Sequence, residues 1–327
     1  MNVDVVIVGA GPAGLAAAIA AKRRGISTAV LEKGALVNSL LHFPTEMVFF
    51  TTPELLEIGG FPFASPYEKP TRAESLRYYR KVTDACELKI EFNEPVTSVK
   101  PYGRGSFTVT SASDGRAREW HAPAVVLAQG AYDVPNRLDV PGEDLPHVSH
   151  FYREPHPYYR RRVVIVGGKN SAAEAALELY RTGAHVLIVH RRAALGDSIK
   201  YWVKPDIENR IKEGAIAARF NTRVVQITND DVELEGPDGR VRERADAVLL
   251  MTGYRSDTTL LKTAGAAINE TEGAPIHNPE TFESSVPNLF LAGAFIAGKQ
   301  SGKIFIENGR FHGEVVIKEI ARRLGKA

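Results

Sequence analysis

Two kinds of apolar pattern alternate along this chain. Short runs that are almost wholly apolar, Val3–Val8 first among them, match parallel strands covered on both faces. The first run leads into "GAGPAG" (9–14), then an alanine-rich stretch to Arg24, which predicts a helix. Gly25 ends it, and "STAVLEK" (27–33) is the next strand. The same order returns at 163–192 as "VVIVG", "GKNSA", "AAEAALELYRTG" and "AHVLIVHRR". The chain therefore carries one strand–helix–strand unit twice, each copy about 30 residues long.

Between the copies the pattern predicts a helix around 72–86, rich in Tyr and basic residues. Three β-like stretches, "LKIEF", "VTSVK" and "SFTVTS", follow it, and then "PAVVLAQG" (123–130). After the second copy come a helix-like 203–213 and the stretches "TRVVQI", "DVELEG" and "DAVLLMTG". A strand "NLFLAGAF" (288–295) and a helix from about Lys303 close the chain. "VVLAQG" and "VLLMTG" read as the two crossings between domains. The expected fold class is α/β, with two Rossmann-like, three-layer β/β/α nucleotide-binding domains and the second inserted in the first. Residues 1–129 and 251–327 form the discontinuous domain, and 130–250 the inserted one.

Composition narrows the function mainly by exclusion. Lys and Arg (41) nearly balance Asp and Glu (39), so the net charge of +2 gives no footprint for nucleic acid. One cysteine, Cys86, excludes a disulfide framework, a cysteine zinc cluster and a CxxC pair within the chain. We expect Cys86 to be a packing residue late in its helix. No apolar run reaches the length of a membrane span, and the apolar N-terminus, broken at Gly9, Gly11 and Pro12, reads as strand and helix rather than a signal peptide.

The chemistry lies in the two glycine turns. Gly9-x-Gly11-x-x-Gly14 sits between a strand and a helix, where the glycines allow a tight turn, close approach of a pyrophosphate and close helix packing. The phosphates then meet the free N–H groups at the helix start. Glu32, 23 positions after Gly9, suits hydrogen bonds from ribose hydroxyls. In the second copy, Gly167-Gly168-Lys169-Asn170-Ser171-Ala172 has Lys169 where the middle glycine belongs. Its side chain must turn away or help neutralise phosphate. The position matching Glu32 is His190, followed by Arg191 and Arg192. A carboxylate repels a 2′-phosphate whereas guanidinium groups bind it, so this site is expected to prefer NADPH over NADH.

Two such sites in this order, with "VVLAQG", "HRR" and "NLFLAGAF", resemble the low-molecular-weight thioredoxin-reductase-like flavoproteins. "NSLLHFPTEMVFFTTPELLEIGGFPF", "GGKNSAAEAALEL" and "IFIENGRFHGE" are similar to the narrower group of YpdA-type bacillithiol disulfide reductases. The resemblance implies FAD on the first site, at Gly9, Gly11, Pro12, Ala13, Gly14, Glu32 and Lys33. It extends that site to Asn38, Phe43, Val96, Gln129 and Gly130. Gly293 and Ala294 are implied beside the ribityl–phosphate part, with Lys303 and Ile304 near the isoalloxazine ring. It also implies a cytoplasmic homodimer acting on a small-molecule disulfide, with no membrane or nucleic-acid partner.

Three departures qualify what carries over. Ala294 stands where that family usually has Asp. Ala13 stands where some members have a cysteine. The window matching the CxxC of thioredoxin reductases reads "HFYR", so His150 and Arg153 replace the dithiol. His150 is then a candidate catalytic proton donor to a departing thiolate, with Arg153 holding an anionic group. A histidine fixed in a linker fits equally well, and His156 and His312 are weaker candidates of the same kind. Without a dithiol, the expected reaction passes electrons from NADPH through FAD to a thiol disulfide. The alternatives are a ferredoxin or flavodoxin reductase, a flavin monooxygenase and a non-catalytic redox sensor.

Overall fold

The computed structural model describes residues 1–103, 105–299 and 302–326. Its contacts divide the chain into two units. One comprises Met1–His42, Glu46–Val134 and Tyr254–Ala327, and the other Phe43–Thr45 and Pro135–Gly253. The boundaries lie a few residues beyond the expected 129/130 and 250/251, on the far side of each crossing strand.

The first unit is built on a parallel sheet ordered Leu289–Leu291, Ala124–Leu127, Val5–Val8, Thr28–Leu31, Ile90–Glu91. Alternation along these strands splits their side chains between two faces. Val6, Val8, Ala29, Leu31, Val125 and Leu127 pack onto Val99, Phe107, Val109 and Trp120 of an antiparallel sheet, Val96–Tyr102, Ser106–Ser113 and Arg116–Ala122. The helix Pro12–Arg23 lies along the helix His312–Leu324. A Cβ on Gly313 would fall on the Ala17 backbone, so that approach requires glycine. The result is the expected three-layer β/β/α order.

The second unit repeats the plan. Its parallel sheet is ordered Ala217–Arg219, His185–Val189, Arg162–Val166, Ala247–Leu250, Val148–Ser149. Val164, Val166, Val189, Val248 and Leu250 face the antiparallel sheet Arg223–Ile227, Asp231–Gly236, Gly239–Arg244. Val163, Ile165 and Ile188 face the helices Asn170–Arg181 and Lys204–Lys212. Phe43–Thr45 groups with this unit because the Thr45 N–H donates to the Arg153 carbonyl at 2.7 Å.

Two local expectations needed correction. The closing helix expected from about Lys303 is two helices, Ile306–Gly309 and His312–Leu324. The break falls at Arg310–Phe311, where the Arg310 guanidinium reaches the Glu54 and Glu57 carbonyls at 2.6 and 2.7 Å. Cys86 caps the helix Arg72–Ala85 half-buried rather than fully packed, its carbonyl taking a bond from the Lys22 ammonium at 2.7 Å. No helix among the described residues is long and apolar enough to cross a membrane.

Candidate functional site

The three glycines of the first turn are required for three different reasons. Gly9 has φ +105°, and a Cβ there would stand 2.5 Å from the Ala128 carbonyl oxygen. A Cβ on Gly14 would fall on the Gly9 carbonyl, so this residue lets helix and turn touch. Gly11 faces open space, which leaves its backbone free for a ligand to approach. It also caps the helix Pro12–Arg23, with no capping side chain and no acid in the first turn. The helix start is therefore an uncompensated positive end suited to an anion.

Glu32 is buried at the end of the adjacent strand. One carboxylate oxygen takes the Ala10 N–H at 2.8 Å and the other the Gly34 N–H at 3.0 Å. Burial raises its pKa, and the two N–H groups pull against that rise. Each oxygen retains a second lone pair for a hydroxyl donor. Asn93 and Glu94 run alongside, donating to the Gly34 and Glu32 carbonyls, and lead into half-buried Val96.

Other expected residues border the same turn. Lys33 pairs with Asp133 at 2.7 Å, and Asn38 accepts the Ala35 N–H at 3.3 Å. Gly130 has φ +74° and lies against Ser39. The Gln129 side-chain oxygen is buried without a protein partner, an acceptor that a bound group with a donor would satisfy. Gly293 abuts Ala13, 2.8 Å from the position its Cβ would take. Ala294 follows it in the turn Gly293–Ala297, and Ile304 packs on the core nearby, 3.2 Å from the Cβ position of Gly309. The Lys303 carbonyl is bound by Asn308. Phe43 alone belongs to the other unit. With an open Gly11, an unopposed helix start, a buried acid and an orphaned amide oxygen in one unit, these residues fit an adenine dinucleotide.

The second turn keeps the geometry and changes the charge. Gly167 packs against Met251 and Ala172. Gly168 corresponds to Ala10, and His190 sits over it as Glu32 sits over Ala10. A Cβ on Gly168 would stand 2.5 Å from the imidazole, so the change from acid to His190 is matched by loss of the Cβ beneath it. Burial, then Arg192 and Arg191, lower the His190 pKa and keep the ring neutral near pH 7. Lys169 is extended and exposed at the helix N-cap, so its side chain turns outward. Arg191 and Arg192 are also exposed. Among the described residues, no carboxylate pairs with any of these three cations. By contrast, Arg162, Arg181, Arg210, Arg219 and Arg240 of the same unit all have one.

Asn170 is half-buried. It binds the segment after the arginines through the Lys200 N–H at 2.8 Å and the Ser198 carbonyl at 3.0 Å, while the Gly196 N–H meets the Gly168 carbonyl at 2.7 Å. Ser171 is exposed and Ala172 buried. One residue that sequence reasoning missed lies a turn further along. Glu174 is pushed up to about 7 by burial and by Glu178, with Lys200 opposing the rise. Its only trace in the sequence is a pair of acids four apart among the alanines and leucines of this helix.

His150 has a structural partner. Its Nε2 lies 3.3 Å from Glu143, a buried carboxylate that also takes the Leu138 and Asp139 N–H groups at 2.9 and 2.8 Å. Burial lowers the pKa of His150, and Glu143 opposes this. Arg153 and His156 are exposed, whereas His312 is buried in the first unit. Among the described residues, no group of His, Cys, Asp or Glu is arranged to hold a metal ion.

Residues 6–293 match the family described as pyridine nucleotide-disulphide oxidoreductase. Bacilliredoxin reductase Bdr of Bacillus subtilis is 40% identical over 319 residues, covering 97% of each chain. The solved bacillithiol disulfide reductases Bdr of Bacillus cereus and Staphylococcus aureus superpose with TM-scores of 0.96 and 0.93. Each is 39% identical, and they cover 99% of this chain and 100% and 99% of their own.

Proposed function

The chain belongs to the pyridine nucleotide-disulphide oxidoreductase family, and from its likeness to solved bacillithiol disulfide reductases we propose that it reduces bacillithiol disulfide, a low-molecular-weight thiol disulfide. It is an FAD oxidoreductase that uses NADPH. Bound at these residues, FAD would supply the redox chemistry that links NADPH oxidation to reduction of the acceptor. The residues divide the work between the two turns. Gly9, Gly11 and Gly14 receive the flavin pyrophosphate at a helix start, and Glu32 takes the ribose hydroxyls. Gly167–Ala172 receives the pyrophosphate of NADPH, and Arg191 and Arg192 take its 2′-phosphate.

The observation that carries this reading is the exchange of charge at matching positions of two like units. A buried acid stands after one turn, and a neutral His190 stands after the other with two arginines that, among the described residues, no carboxylate pairs. Cys86 is the single cysteine, so the disulfide that is reduced belongs to the substrate. The departing thiolate takes its proton from solvent or from His150, and His150→Ala separates the two. A cytoplasmic homodimer completes the reading, and sedimentation tests the dimer.

The direct test is anaerobic stopped-flow reduction of the FAD-loaded protein by NADPH and NADH, followed by reoxidation. Bacillithiol disulfide, cystine, ferredoxin and oxygen are compared as acceptors. We expect rapid bleaching with NADPH, slow bleaching with NADH, and fastest recovery with bacillithiol disulfide. Recovery fastest with ferredoxin would overturn the substrate assignment while leaving the cofactors intact.

A further inference from the structure

Gly293 is the point where three elements of the first unit meet. On one side lies Ala13, in the first turn of the helix behind the Gly9–Gly14 turn, and on another Gly309, whose own Cβ position is 3.1 Å from the Gly293 Cα. With φ +73°, Gly293 opens the short turn Gly293–Ala297. Its N–H is not satisfied within that turn. It donates to Nδ1 of His312 at 3.2 Å, from the first residue of the C-terminal helix.

His312 is 8% exposed and stacks on Phe282 with ring centroids 4.1 Å apart and planes within 22°. As acceptor at Nδ1, the ring must be neutral with its proton on Nε2. We propose that His312 is a positioning residue for the flavin site, taking the Gly293 N–H from behind and holding the Gly293–Ala297 turn against Ala13. This rests on the reading of the first unit as the FAD domain.

The ring's surroundings agree with an acceptor role. Burial, then the positive charge of His277, bring the His312 pKa down to about 4. His277 also lies against Phe282, with ring centroids 6.1 Å apart. Of the carboxylates on the neighbouring segments, Glu283 pairs with Arg323 and Glu314 with Arg24. Protonation therefore turns the acceptor into a second donor facing the Gly293 N–H, and the turn loses its rear support.

The test uses the FAD-loaded full chain and measures free flavin by its fluorescence from pH 8 to pH 3, with far-UV circular dichroism at each point to report folding. Wild type should release flavin in a step as pH falls through about 4, where His312 takes up its proton. In His312→Asn, the amide oxygen replaces Nδ1 as an acceptor that does not titrate, so flavin should be held through that range, with affinity at pH 7.5 within about threefold of wild type. His312→Phe keeps the stack but leaves the Gly293 N–H orphaned, which should weaken flavin about tenfold at pH 7.5 and remove the step. Acid release by the Asn variant matching wild type would overturn the proposal, as would wild-type affinity in the Phe variant. If the Phe variant does not fold, the comparison of wild type with Asn still decides. Wild-type protein that takes up no flavin would instead sink the FAD assignment itself.

Discussion

Replacing Arg191 and Arg192 together by alanine tests the charge exchange most directly. Both side chains are exposed and, among the described residues, paired with no carboxylate, so truncation orphans no internal partner. The Arg192 carbonyl takes the Asn221 N–H, a backbone bond that alanine retains. A charge-assisted contact from an exposed guanidinium to phosphate is worth about 1.5 kcal/mol, the lower end of its range. Two independent contacts give about 3 kcal/mol, or roughly 150-fold in the Kd for NADPH. Adjacent groups couple, so the expected loss lies between about 10-fold and 150-fold.

NADH lacks the 2′-phosphate and should change by less than about threefold. The assay is titration of the FAD-loaded protein with each coenzyme at two ionic strengths, since exposed contacts are screened by salt. Removing two cations also lets His190 titrate nearer its ordinary value, moving upward the pH at which binding changes. Equal losses for NADPH and NADH would refute the assignment, because the arginines would then not distinguish a phosphate from a hydroxyl.

Gly168→Ala places a methyl 2.5 Å from the His190 ring and should destabilise the protein by about 1–3 kcal/mol. Adding His190→Ala should recover most of that loss in a thermal-melt cycle, and failure to recover would place the clash elsewhere. Glu32→Ala strands the Ala10 and Gly34 N–H groups, so we expect a loss of about 2–4 kcal/mol and protein that purifies without yellow colour. An unchanged melting temperature with flavin retained would disprove this account of Glu32. For Glu174, the fold raises the pKa from 4.5 to about 7, so between those values the folded chain binds more protons than the unfolded one. Stability therefore falls as pH rises through that window and stays low above it. Glu174→Gln should flatten this part of the profile and add about 1 kcal/mol at pH 8, after discounting for solvent screening, as urea denaturation at several pH values will show.

Much of the architecture was legible because its causes are local. Apolar runs bounded by glycine make parallel strands, and the tightness of the Gly9 and Gly167 turns follows from the residue type at each step. The spacing of 23 positions returns Glu32 and His190 to matching strand ends because the two units share one geometry. Charge at those positions was equally readable, since an arginine is cationic wherever it lies. The break at Arg310–Phe311 was not readable, because it depends on carbonyls some 250 residues earlier in the chain.

What waited for the tertiary structure was the state of side chains whose neighbours come from afar. The pairing of His190 with Gly168, the engagement of His150 by Glu143 and the burial that raises the Glu174 pKa all bring together groups that hydrophobic pattern does not link. His312 is the clearest case: in the sequence it is one histidine among nine, and only its buried contact with Gly293 makes it a neutral acceptor. Residue type along a chain sets which bonds are available, whereas protonation and partners follow from solvent exclusion, which exists only once distant segments have packed together.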